Sequence, residues 1–161
     1  MKKEDKSFAE RALKRLLVGS QLDGLQFGIG PGGLRVSFTH YSMQEPDMLW
    51  LTIEVRKIAV ITDPERLHST SRENLKELDD EDSFQLLLKN RREKVKDVWL
   101  GDESPHLYIS FDSGKVLYVN GHDKNYECWQ LGDQSGFGGG DWLIVAVPGN
   151  EIATWSPEEF E

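Results

Sequence analysis

Gly28, Gly30 and Gly33 satisfy the spacing G-x-G-x-x-G. In a dinucleotide site such glycines follow a strand and open a helix, whose N-terminus holds the pyrophosphate. Here Pro31 belongs to a turn, and Leu34 to Phe38 read as a second strand. The required helix is missing from the pattern, so no cofactor is expected. The four histidines, His40, His68, His106 and His122, stand at no metal-binding spacing to one another or to Cys128. No metal site is expected, because structural sites draw on closely spaced Cys and His pairs. Cys128 lies in a strand beside Trp129 and reads as an inert core thiol rather than a nucleophile. G-x-S-x-G and Walker sequences are absent, and no pair of carboxylates is set apart for acid–base work. The chain is therefore read as a binding protein without catalytic residues. The competing reading is a small-molecule-binding or enzymatic β-domain. Its ligand would enter near the loop Gly136–Gly140, with Trp129 and Trp142 as apolar walls.

Charge is the stronger signal. The 161 residues carry a formal net charge of −9. Residues 1–94 hold 16 basic and 16 acidic side chains. Residues 95–161 hold 12 acidic ones against Lys96, Lys115 and Lys124, so the whole surplus belongs to this part. Such a surface repels nucleic-acid phosphate and attracts a basic protein, although acidic loops also keep a β-rich domain soluble. No run approaches the ~18 apolar residues of a membrane helix, and no apolar signal core follows Met1 to Lys6. One cysteine rules out an internal disulfide framework and points to a reducing cytoplasm.

The elements that must position these groups read as α+β. A single domain is expected: an N-terminal helix (1–20), a first β region (22–62), a helical insert (63–94) and a second β region (95–156). Ser7 and Glu10 match a capping box, with Phe8, Ala12, Leu13, Leu16 and Leu17 on one helical face and Gly19 as the stop. From Leu25 the period changes to two. Leu25, Phe27 and Ile29, then Leu34, Val36 and Phe38, predict a hairpin around Gly30–Gly33, and Met48–Val55 predicts a longer strand. Asp63-Pro64 and Thr70-Ser71-Arg72-Glu73 are helix starts, and Asp82 is a cap for a later helix carrying Phe84, Leu87 and Leu88. Six strand-length runs follow between Val95 and Trp155, with turns at Asp112–Gly114 and Pro148–Asn150. Most of the chain is thus antiparallel sheet, as a roll or a sandwich, with the helices covering part of it. Leu34–Phe38 and Leu107–Phe111 share the pattern Leu-x-aliphatic-Ser-Phe, a hint of duplication too short to establish one.

Four of the five tryptophans fall between Trp99 and Trp155. Singly they read as packing; beside carboxylates they also suit interface anchors. The run Tyr126-Glu127-Cys128-Trp129-Gln130-Leu131, the Gly-rich gap, and then Trp142 to Val147, Pro148-Gly149 and Ile152 to Trp155 resemble the end of a group of small bacterial proteins. Leu107 to Val119, with its Asp-x-Gly turn, is similar too, so the resemblance covers roughly residues 95–156. Proteins of that group are often encoded beside polymorphic or contact-dependent toxins, which implies an immunity role. The expectation is a cytoplasmic inhibitor that covers the basic active-site face of a toxin such as a nuclease. Its partner-binding residues would be Asp102, Glu103, Asp123, Tyr126, Glu127, Trp129, Asp133, Asp141 and Trp142, with no direct contact to nucleic acid or membrane.

Overall fold

The computed structural model describes residues 1–27, 33–53, 58–61, 78–133 and 140–160, and alternation and amphipathic spacing form most of the expected elements there. The first strand is a correction: it lies at Gln21–Gln26 and leaves Phe27 outside it and exposed. Helix α1 (Lys3–Leu17) buries Ala9, Ala12, Leu13, Leu16 and Leu17. Glu4 and Asp5 lie in its first turn and Lys14 and Arg15 in its last, which suits the helix dipole. It begins four residues before Ser7, so the capping-box expectation is corrected: Glu10 accepts the backbone N–H of Leu100 at 2.8 Å instead. A tertiary bond to a strand has taken the carboxylate that the local motif would have used. Gly19 ends the helix region at φ +89°, a conformation glycine adopts without penalty.

Two antiparallel sheets follow. The first contains β1 (Gln21–Gln26), β2 (Leu34–Thr39), β3 (Met48–Ile53), β8 (Trp129–Gly132), β9 (Leu143–Val147) and β10 (Glu151–Trp155), in that order across the sheet. The second runs β4 (Ile58–Ile61), β7 (Val116–Val119), β6 (Leu107–Phe111) and β5 (Val95–Leu100). The chain therefore is α+β and mostly antiparallel sheet. It changes sheet after β3 and again after β7. The sheets meet where Gln21 bridges Lys94, beside the edge strands β1 and β5.

Alternation brings Val36, Phe38, Leu49, Leu51, Ile53, Leu131 and Ile144 inward from one sheet, and Val98, Leu107, Ile109, Phe111, Leu117 and Val119 from the other. Bulges between Leu22 and Gly24 and between Val95 and Asp97 insert one residue each. They explain why Leu22 and Leu25, or Val95 and Val98, share the inner side at a spacing that strict alternation forbids. Helix α1 packs on β5 and β10, one edge strand of each sheet.

The segments with the Asp63 and Thr70 helix signals, the Gly28–Gly32 turn and residues 134–139 lie outside the described residues. Helix α2 (Asp80–Lys89) is capped by Asp79, whose Oδ1 accepts the Asp82 N–H at 2.8 Å. Asp82 is thus the donor and not the cap, a correction of three positions along an acidic run in which every residue can cap. Asp79→Ala is expected to cost about 1 kcal/mol, with Asp82→Ala nearly neutral, in paired urea titrations.

Candidate functional site

The nine residues singled out from the sequence divide into two surface groups and one core residue. Trp129 is the correction. It is fully buried, and its indole N–H donates to the Pro105 carbonyl at 2.8 Å. It faces inward because it pairs with Ile53 on β3, so its ring joins the core and offers nothing to a partner or to a ligand pocket.

The first group, Asp102, Glu103, Asp123, Tyr126 and Glu127, sits on loops flanking β6, β7 and β8. Asn150, in the turn after β9, draws those loops together. Its Oδ1 accepts the Ser104 hydroxyl at 3.0 Å and is also bonded to His122 Nδ1. Asp123 is half-buried and shapes its own loop: Oδ1 accepts the N–H groups of Asn125 and Tyr126 at 2.8 and 3.0 Å, while its carbonyl accepts Gly149 N–H. Turn geometry therefore already occupies Asp123. Glu127 accepts from the Gln130 amide at 2.7 Å, and Asp102 forms an ion pair with Lys6 of α1 at 2.6 Å. Tyr126 is 68 % exposed.

The second group is a cleft. Asp133, Asp141 and Trp142 come together there with Glu45 and Pro46, with Arg15 of α1, and with Pro157, Glu159 and Phe160 of the C-terminal segment, around a volume of about 510 Å³. Its lining carries four carboxylates and one guanidinium, a net charge of −3. Asp133 closes the floor, its two oxygens accepting the N–H groups of Asp141 and Trp142 at 3.1 and 3.3 Å. Trp142 meets the Phe160 ring edge-on at 4.7 Å. Phe160 also packs on Phe8, and the Arg11 guanidinium lies about 5 Å from both rings. Arg15 donates to the Glu45 carbonyl at 3.2 Å, so its charge is held at one wall.

Sequence reading reached three of these lining residues and missed Glu45, Glu159 and Phe160. Glu159 and Phe160 follow the last strand after Pro157, an aromatic and acidic tail whose signal was present but had no predicted place to dock. Chemically the cleft offers carboxylates beside aromatic edges and faces, a setting for a lysine or arginine side chain.

Other chemistry-bearing groups are engaged in structure. His40 is buried and bonds the Leu16 carbonyl through Nε2 at 2.6 Å. His106 Nδ1 accepts Gly121 N–H at 3.0 Å, which assigns its proton to Nε2. Cys128 is fully buried. Among the described residues no three His, Cys, Asp or Glu side chains are grouped as metal ligands, and no helix is long and apolar enough to cross a membrane. Gly33 leads directly into β2, so strand and not helix follows the glycine spacing. Comparison with known proteins finds no matching family, no similar curated protein and no similar solved structure.

Proposed function

We propose that this chain is a non-catalytic, cytoplasmic binding protein that acts as an immunity protein, neutralising a bacterial toxin by covering its basic active-site face. The observation that carries this reading is the cleft, where Asp133, Asp141 and Trp142 are joined by Glu45, Glu159 and Phe160. Away from the cleft, two lysines of α1 reduce the negative charge. Lys6 and Lys14 pair with Asp102 and Asp97, so part of the acidic surplus is offset by the N-terminal helix. At the cleft the surplus persists. A partner's lysine or arginine inserted there gains both a carboxylate and a ring face, and the negative potential speeds its approach.

The test uses the toxin domain encoded by the neighbouring reading frame. Asp141→Lys with Glu159→Lys is expected to slow association by about tenfold or more at low salt and to flatten its salt dependence. Asp102→Lys with Glu103→Lys reports on the first group separately. Association unchanged by either pair removes the electrostatic face from the proposal. The cleft volume also falls within the range of small-molecule sites. A small cationic ligand that protects the Trp142 fluorescence from quenching, with no toxin captured, would favour that second reading.

A further inference from the structure

Strands β2 and β6 share more than Leu-x-aliphatic-Ser-Phe. Phe38 pairs with Leu22 and Phe111 with Val95; each ladder then skips one residue, Asp23 or Lys96, and each serine faces the next, Gly24 or Asp97. The same bulge recurs in the same register, with Leu22 and Val95 standing 73 positions apart.

The junction of the sheets repeats this offset. Leu22 N–H donates to Glu93 O at 3.1 Å, and Val95 N–H to Ser20 O at 2.8 Å. Gly19 N–H donates to Val95 O at 2.9 Å, and Arg92 N–H to Leu22 O at 2.6 Å. Ser20 N–H returns to Leu17 O, and Glu93 N–H to Asn90 O. Exchanging every residue for its counterpart 73 positions away converts the first bond of each pair into the second, about the bridge Gln21–Lys94. Any antiparallel bridge has a local two-fold axis. Here the relation extends outward, first to Gly19 and Arg92, whose φ values are +89° and +69°. It continues to the ends of two helices, and to the fourth strands. β8 joins β3 from Trp129 opposite Ile53 to Gly132 opposite Trp50. β4 joins β7 from Ile58 opposite Val119 to Ile61 opposite Val116, the same register on the equivalent strand.

We propose that the chain is a fused pair of like units, α1-β1-β2-β3-β4 and α2-β5-β6-β7-β8, which exchange their fourth strands. The face each half presents to the other is then self-complementary, and its partner is the complementary half, whether from the same chain or from a second copy. This is the internal equivalent of an isologous dimer interface. Among the described residues, β9, β10 and the turn Glu158–Phe160 have no counterpart in the first unit.

Two experiments on the full chain test this independently of any toxin. Gly19→Arg is expected to lower the thermal midpoint, because a side chain is forced into the left-handed region, and Arg92→Gly to raise it. The transposed double variant returns to the starting midpoint if the two positions are equivalent; one that stays at the Gly19→Arg value overturns the equivalence. Next, two differently tagged preparations carrying a protease site between Arg66 and Arg72 are cleaved, unfolded, mixed and refolded. Half of the recovered complexes should combine a first half from one preparation with a second half from the other, eluting as the intact chain does. Halves that part on cleavage, or that fail to recombine, overturn the proposed docking face.

Discussion

Trp129→Ala is expected to destabilise the protein by about 3–5 kcal/mol, read as a drop in urea midpoint at unchanged slope. The ring is fully buried in β8, among side chains contributed by both sheets. Truncation opens a cavity that the surrounding strands cannot close without breaking their ladders. It also removes the indole N–H that donates to the buried Pro105 carbonyl. Trp129→Phe separates the two contributions. It keeps most of the volume and leaves the carbonyl unsatisfied, for about 1–3 kcal/mol. A typical domain has only about 5–15 kcal/mol in total, so the alanine variant removes a large share. Equal losses for both variants would show that the hydrogen bond, and not the packing, dominates.

Gly121→Ala follows as the second large effect, at about 2 kcal/mol or more. A β-carbon at this position would fall inside contact distance of the carbonyl carbon and oxygen of Pro105, and 2.8 Å from the amide nitrogen of His106. Those are backbone atoms, so relief requires moving the chain. The same movement would strain the bond from Gly121 N–H to His106 Nδ1. Gly114 is the comparison. Its φ is +87° but its β-carbon would meet nothing within 4 Å, so Gly114→Ala costs only the left-handed conformation, about 1–2 kcal/mol. A Gly121→Ala variant no less stable than Gly114→Ala would contradict the close approach.

Both substitutions act through Pro105. Trp129 bonds its carbonyl from the core, and Gly121 packs against it from the neighbouring loop. The segment they hold carries Asp102 and Glu103. If that loop contributes to partner binding, Trp129→Phe weakens association while the protein stays folded, and the cleft variants act independently of it.

The distribution of charge shows how tertiary structure revises a sequence argument. The acidic surplus does lie in residues 95–161, yet helix α1 returns Lys6 and Lys14 to Asp102 and Asp97. Exposed pairs of this kind contribute at most about 1 kcal/mol to stability. Their effect on the local potential is larger in consequence, since each cancels a charge that a basic partner would otherwise meet. The cleft keeps its surplus because, among the described lining residues, four carboxylates face the single guanidinium of Arg15.

Strand positions were legible from residues 34–53 and 95–155 because side-chain alternation is a property of neighbours in sequence. Helix α1 was legible for the same reason, through the spacing of Ala12, Leu13, Leu16 and Leu17. By contrast, β1 lies at Gln21–Gln26, four residues before the run expected from Leu25, because its bulge breaks the alternation. What lay beyond reach were choices between chemically equal local options and contacts between distant segments. Asp79 and Asp82 can both cap a helix, and Glu10 can bond its own helix or a strand 90 residues away. Alternation says that Trp129 and Leu131 share a side, but not which side a second layer covers. Folding decided that, and it decided the cleft as well: its walls come from α1, from the loop before β3 and from the last residues of the chain, which meet only once two sheets have closed on a common core.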